Sequence, residues 1–120
     1  MQTTTTQADT TTVDVPEAVA AYLAAERSKD VTLLDNCFAD DAVVHDEGGD
    51  HRGLPAIRRW KAEADEKYGF TMTPLAARTA GDAVTVRGRV AGNFPGSPIE
   101  LDFRFTLAGP KASRLDVTPT

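Results

Sequence analysis

The sequence predicts an α+β domain in which three N-terminal helices cover one face of a curved antiparallel sheet, in the order ααβαββββ. Three observations carry this. Apolar residues recur at helical spacing as far as Gly69, and with a period of about two from Phe70 onward. The alternation is one-sided: Ile99, Leu101, Phe103, Phe105 and Leu107 share one strand face, while Glu100, Asp102, Arg104 and Thr106 share the other. That pattern belongs to a sheet with one covered and one wet face. Finally, 120 residues that are 41% hydrophobic suit one core, and a single cysteine permits no intrachain disulfide.

Taken in order, residues 1–13 read as a disordered tail; positions 1–12 include seven threonines and no large apolar side chain beyond the initial Met1. The domain spans 14–120. Asp14 and Glu17 have capping-box spacing, Pro16 suits a first turn, and Val19, Tyr22, Leu23 and Glu26 follow at helical spacing, predicting a helix over 15–28. Asp30 is placed to cap a second helix with Leu33, Leu34, Cys37 and Phe38 inward, ending near Ala39. Ala42 to His45 reads as a strand entering a loop at Asp46 to Gly53. Leu54 and Pro55 open a third helix. Ile57, Trp60 and Ala64 line its inner face, Lys61 and Asp65 are expected outward, and Gly69 ends it. Arg58, Arg59 and Lys61 read as its solvated back.

Phe70 to Arg78 is the next strand. Ala80-Gly81-Asp82 turns the chain into Val84, Val86, Gly88 and Val90, which alternate with Thr85, Arg87 and Arg89. A Pro- and Gly-containing loop, Asn93 to Pro98, precedes the strand from Ile99. After a turn at Ala108 to Lys111, the last strand carries Leu115 and Val117 inward.

Composition removes several function classes. Eighteen acidic against 13 basic residues give a net charge of −5, whereas nucleic-acid backbones are bound by clustered Lys and Arg. The longest apolar run, Ala18 to Ala25, has eight residues, short of the ~20 that span a bilayer. The polar N-terminus lacks the apolar stretch of a secretory signal, so a cytoplasmic location is expected. No nucleic-acid or membrane partner is expected. The acidity is local: seven carboxylates and no Lys or Arg lie between Asp30 and His51.

The phrase Phe38-Ala39-Asp40-Asp41-Ala42-Val43-Val44-His45-Asp46, followed by Arg52-Gly53 and Ala56-Ile57-Arg58, resembles the SnoaL-like and ketosteroid-isomerase-like branch of the nuclear transport factor 2 (NTF2)-like superfamily. The resemblance covers about residues 15–118. It implies a cone-shaped (cystatin-like) fold with an apolar pocket at its open end, often a homodimer through the outer sheet face. It also implies roles. In ketosteroid isomerases an aspartate after helix 2 is the general base, and Asp46 stands at the matching place. A helix 1 tyrosine donates to the enolate oxygen, and Tyr22 matches. The second oxyanion donor does not match, because Leu101 occupies the inward position and Asp102 falls on the opposite face. The Asp-Arg-Asp trio of the epoxide hydrolases is not evident either.

Two functions fit. One is a cofactor-independent isomerase, cyclase or lyase acting on a small hydrophobic carbonyl compound. Asp46 is its catalytic base and Tyr22 its oxyanion donor, with Trp60, Leu101, Phe103, Phe105 and His45 as ligand-binding residues. The other is a non-catalytic ligand-binding or dimeric interaction module of the same fold. A desolvated Asp46 would have a raised pKa, raised further by Glu47 and Asp50 if these are close. His45, Asp46, Glu47 and His51 are ligand-type residues, but they lack metal-site spacing, so neither metal nor cofactor is expected. Cys37 is expected to be a packed, inert thiol.

Overall fold

A computed structural model describes residues 14–120; the threonine-rich tail expected at 1–13 lies outside the described residues. Helix α1 spans Glu17–Ser28 and is followed by a 3-10 helix, Val31–Asn36. Strands β1 (Phe38–Asp46) and β2 (Gly49–Arg52) form a hairpin ahead of helix α2, Leu54–Tyr68. Four longer strands complete the chain: β3 (Thr71–Ala80), β4 (Ala83–Ala91), β5 (Ile99–Ala108) and β6 (Lys111–Pro119).

The N-terminal elements depart from the sequence expectation in three places. No capping box forms at α1, because the extended Pro16 is the N-cap and makes no side-chain hydrogen bond. The helix closes as expected at Ser28, with Lys29 left-handed (φ 62°) and its N–H donating to the Ala25 carbonyl. Asp30 does cap the next segment, its Oδ1 accepting from the backbone N–H of Thr32 at 3.0 Å. That segment is a short 3-10 helix that stops at Asn36, not Ala39. The Cys37 carbonyl is taken by the Ala112 N–H at 2.7 Å, so Phe38 already belongs to the sheet. The expected loop after Asp46 is a tight hairpin. Glu47 and Gly48 both have positive φ, as a two-residue primed turn requires, and Asp46 pairs with Gly49.

The six strands lie in the order β2-β1-β6-β5-β4-β3. Every neighbouring pair is antiparallel except β1 and β6, which run parallel. The sheet is therefore mixed rather than purely antiparallel. The reason lies in connectivity: β1 and β6 are joined through α2 and four intervening strands, long enough to return the chain in the same direction.

The alternation in the last three strands behaves as expected, whereas β3 carries a register shift between Pro74 and Ala76 and leaves Leu75 exposed. Val84, Val86 and Val90 of β4, Phe103 and Phe105 of β5, and Leu115 and Val117 of β6 are buried. They pack with Val19, Tyr22 and Leu23 of α1, Leu34, Phe38 and Ile57 into one core. The opposite face is charged. Arg87 and Asp102 face each other across β4 and β5 with Nε to Oδ1 at 3.1 Å, and Arg114 Nε meets Asp116 Oδ2 at 2.9 Å. At Gly88 the strand is approached by the Met72 side chain, whose Sδ would stand 2.7 Å from a Cβ there. Cys37 is fully buried, and burial pushes its thiol pKa up to about 12. No helix among the described residues is long and apolar enough to cross a membrane.

Candidate functional site

Where the apolar faces of α1, α2 and the sheet diverge, they enclose a cavity of about 460 Å³. Its walls come from distant parts of the chain: Tyr22 and Glu26 on α1, Trp60 and Lys61 on α2, Leu101 and Phe103 on β5. Asp46, the last residue of β1, lies at the wall beside the hairpin turn. Phe70, Phe94 and Pro95 form an aromatic rim, with Phe70 and Phe94 packed edge-on at 5.6 Å between ring centroids.

Of the residues singled out from sequence, Asp46, Tyr22, Trp60, Leu101 and Phe103 line this one cavity. Phe105 and His45 do not. Phe105 sits one alternation deeper, fully buried against the Tyr22 ring at 5.2 Å. His45 is on the opposite side of β1 from Asp46 by strand alternation. Its Nδ1 lies 2.6 Å from Asp50 Oδ1, its partner across the hairpin.

Asp46 is partly buried, and its pKa is raised. Desolvation is the main cause, opposed by a hydrogen bond from Trp60 Nε1 to Oδ2 at 3.1 Å. Glu47 pushes the value further up, whereas His51, stacked near the Trp60 ring at 5.9 Å, pulls it down. Asp50 adds nothing to this balance, being engaged by His45. A carboxylate in such surroundings holds its proton to higher pH than a solvated one and is a stronger base once ionised. The indole fixes one carboxylate oxygen, and a backbone hydrogen bond from Glu47 adds to its restraint of the pKa.

Tyr22 is 1% exposed, and its hydroxyl donates to Glu26 Oε2 at 3.3 Å. Burial and the Glu26 charge together hold the phenol well above its ordinary pKa. The group therefore stays a neutral hydrogen-bond donor at any ordinary pH.

Sequence reasoning placed Lys61 and Asp65 on the outside of the helix; the structure places both inside. Lys61 is 2% exposed, with Nζ 3.2 Å from Glu26 Oε1 and in contact with Asp65 Oδ1. The signal was present in the spacing. Lys61 lies four residues after Ile57 and Asp65 four after Lys61, on the same stripe as Trp60 and Ala64; their charge alone argued for solvent. Glu26 likewise follows Tyr22 by four and extends the apolar stripe of α1. Two buried carboxylates facing one ammonium satisfy the condition under which charged groups leave water.

Residues 19–115 match the SnoaL-like domain family. Among solved structures, a candidate polyketide cyclase from Sinorhizobium meliloti is 39% identical, covering 88% of this chain and 96% of its own with a TM-score of 0.84. A Catenulispora acidiphila protein of ketosteroid isomerase-like fold, solved in complex with trimethylamine, is 25% identical over 89% of this chain and 88% of its own, TM-score 0.77. TerC, co-crystallised with polyporic acid, shares the fold at 22% identity and a TM-score of 0.76, over 87% of this chain and 89% of its own. No curated protein matches the sequence. With a family match over most of its length and close structural agreement along nearly all of the described fold, this chain belongs to the SnoaL-like domain family of the NTF2-like superfamily.

Proposed function

We propose that this domain is a cofactor-independent acid–base catalyst, of isomerase, cyclase or lyase type, acting on a small hydrophobic carbonyl compound. The observation that carries the reading is Asp46: a carboxylate at the wall of an apolar cavity, its pKa raised by desolvation and one oxygen held by Trp60. In this reading Asp46 removes a proton from the carbon next to the carbonyl. Charge then develops on the carbonyl oxygen and is met by Tyr22. In the free protein this hydroxyl donates to Glu26 Oε2 at 3.3 Å, and it turns from that carboxylate to meet the substrate oxygen. Trp60, Leu101 and Phe103 supply the apolar contacts. The name of the 39% identical S. meliloti protein supports carbonyl chemistry of the polyketide kind.

A second reading, a non-catalytic binding module, draws on one specific observation: the Tyr22 hydroxyl is occupied by Glu26 rather than open to the cavity. For either reading, the outer sheet face with its paired charges is the surface proposed for a second copy of the chain. A thermal-shift screen of apolar ketones on the wild type and on Asp46→Asn, with each binder then assayed for turnover, separates the two readings. An enzyme keeps its ligands and loses turnover in the variant; a binding module shows no turnover in either protein.

A further inference from the structure

The charges on the cavity wall do not cancel where a ligand meets them. Among the described residues Lys61 is the one basic side chain on that wall, and it is already committed. Its Nζ lies 3.2 Å from Glu26 Oε1 and in contact with Asp65 Oδ1, and Lys29 stands 3.7 and 3.6 Å from the same two carboxylates. Two ammonium groups and two carboxylates thus form a closed, neutral cluster. The charge left on the wall is that of Asp46 and Glu47, neighbours in the chain where β1 turns into β2. Neither makes an ion pair among the described residues. Asp46 feels His51 only at longer range, and Glu47 feels Lys67 in the same way. Lys67 is exposed and is not part of the cavity wall.

The rest of the wall suits a cation. Tyr22, Trp60, Tyr68, Phe70, Phe94 and Phe103 line the cavity, and the face of an aromatic ring attracts positive charge and repels negative. One ring at the rim already carries a cation, since Lys67 Nζ lies 5.0 Å from the centroid of Tyr68. A recess with low-dielectric walls focuses the field of the charges along it. An anion entering this cavity meets two unpaired carboxylates and no free cation. We infer that the cavity selects its ligand by charge, preferring a carbonyl compound that carries a cationic nitrogen group over the neutral analogue and excluding the carboxylate analogue. The nitrogen group lies toward Glu47 and the aromatic rim, which leaves the carbonyl and its α-carbon to Asp46. The inference rests on the reading of Asp46 as the base and narrows the class of compound on which that base acts.

Three ketones of one shape and different charge test it by calorimetry at neutral pH: 4-acetylbenzamidine, 4-acetylbenzamide and 4-acetylbenzoate. The amidinium is expected to bind roughly tenfold or more tighter than the amide, and the carboxylate roughly tenfold or more weaker, the scale of one unit charge facing another across several ångströms near a protein surface. Glu47→Gln keeps the length and hydrogen-bonding capacity of the side chain and removes its charge. It is expected to cut the lead of the amidinium over the amide to about threefold or less. Equal affinities for amidinium and amide in the wild type, a carboxylate that binds as well as the amide, no binding of the amidinium, or an undiminished lead in Glu47→Gln overturns the inference. The wild-type comparison needs no variant to fold. Exchange of the α-hydrogens of 2-tetralone, an uncharged ketone, reads Asp46 alone. Exchange without the charge order sinks only the selection by charge, and the charge order without exchange sinks only the role of Asp46.

Discussion

Trp60 Nε1 donates to Asp46 Oδ2 at 3.1 Å, tying helix α2 to the end of strand β1 across the cavity wall. This bond opposes desolvation and is the largest influence lowering the Asp46 pKa. Trp60→Phe keeps an aromatic wall but removes the donor. The carboxyl of Asp46, followed by carbon NMR, is expected to titrate at higher pH in Trp60→Phe than in the wild type. An unchanged or lower value would mean that the indole does not hold the carboxylate.

The raised pKa of Asp46 has a consequence for stability. Because the folded state keeps this proton to higher pH than the unfolded state, stability falls as pH rises from the ordinary aspartate value to the raised one, and the penalty is complete above it. Asp46→Asn removes the penalty while its side-chain oxygen can still accept from Trp60. The variant is expected to gain in urea denaturation midpoint at about pH 7.5, and to gain much less at about pH 3.5, near or below the ordinary aspartate value. A gain equal at both pH values would show that charge is not its source.

Lys61 neutralises two carboxylates that have little access to water, Glu26 at 7% and Asp65 at 13% side-chain exposure. Lys61→Met preserves the stem and removes the charge. Breaking a buried ion pair from one side typically costs about 3–5 kcal/mol, and urea unfolding is expected to show a loss of that order. Arg59→Met, on the exposed side of α2, is expected to change stability by less than about 0.5 kcal/mol.

Two glycines near the cavity are expected to respond differently to alanine. At Gly92 a Cβ would lie 2.7 Å from the backbone carbonyl of Tyr68, which already accepts from the Asn93 N–H at 2.7 Å. Neither partner can move without pulling the rim loop from α2, so Gly92→Ala should cost about 1–3 kcal/mol. At Gly88 the nearest atom is the Sδ of Met72, the end of a flexible side chain that can swing aside. Gly88→Ala should therefore cost less than about 1 kcal/mol. Thermal melts of the two variants rank them directly.

Much of this arrangement was legible in the chain. The strands from Ala83 onward are legible because inner and outer residues alternate over most of their length, and Leu101 and Asp102 fall on the faces expected of them. Periodicity could not reveal the parallel pairing of β1 with β6, which depends on how the chain closes through space. The hairpin at Asp46–Gly49 was hidden by polar residues, although Glu47-Gly48 is a workable primed turn. At Lys61 charge points to solvent and spacing points inward, and spacing decides. A lysine on an apolar stripe, followed four residues later by an aspartate and facing a glutamate from another helix, is a buried ion pair in sequence form. That Glu26 would face it, however, is a fact of tertiary packing.

The proposed role of Asp46 as a base on carbon is open to measurement by deuterium incorporation at the α-carbons of 2-tetralone, followed by NMR in wild type and in Asp46→Asn. The wild type is expected to accelerate exchange over buffer, with a rate that rises with pH through the raised Asp46 pKa. Asp46→Asn is expected to lose about 100-fold or more of that acceleration. Exchange as fast in the variant as in the wild type, or no acceleration by the wild type, would rule out Asp46 as that base.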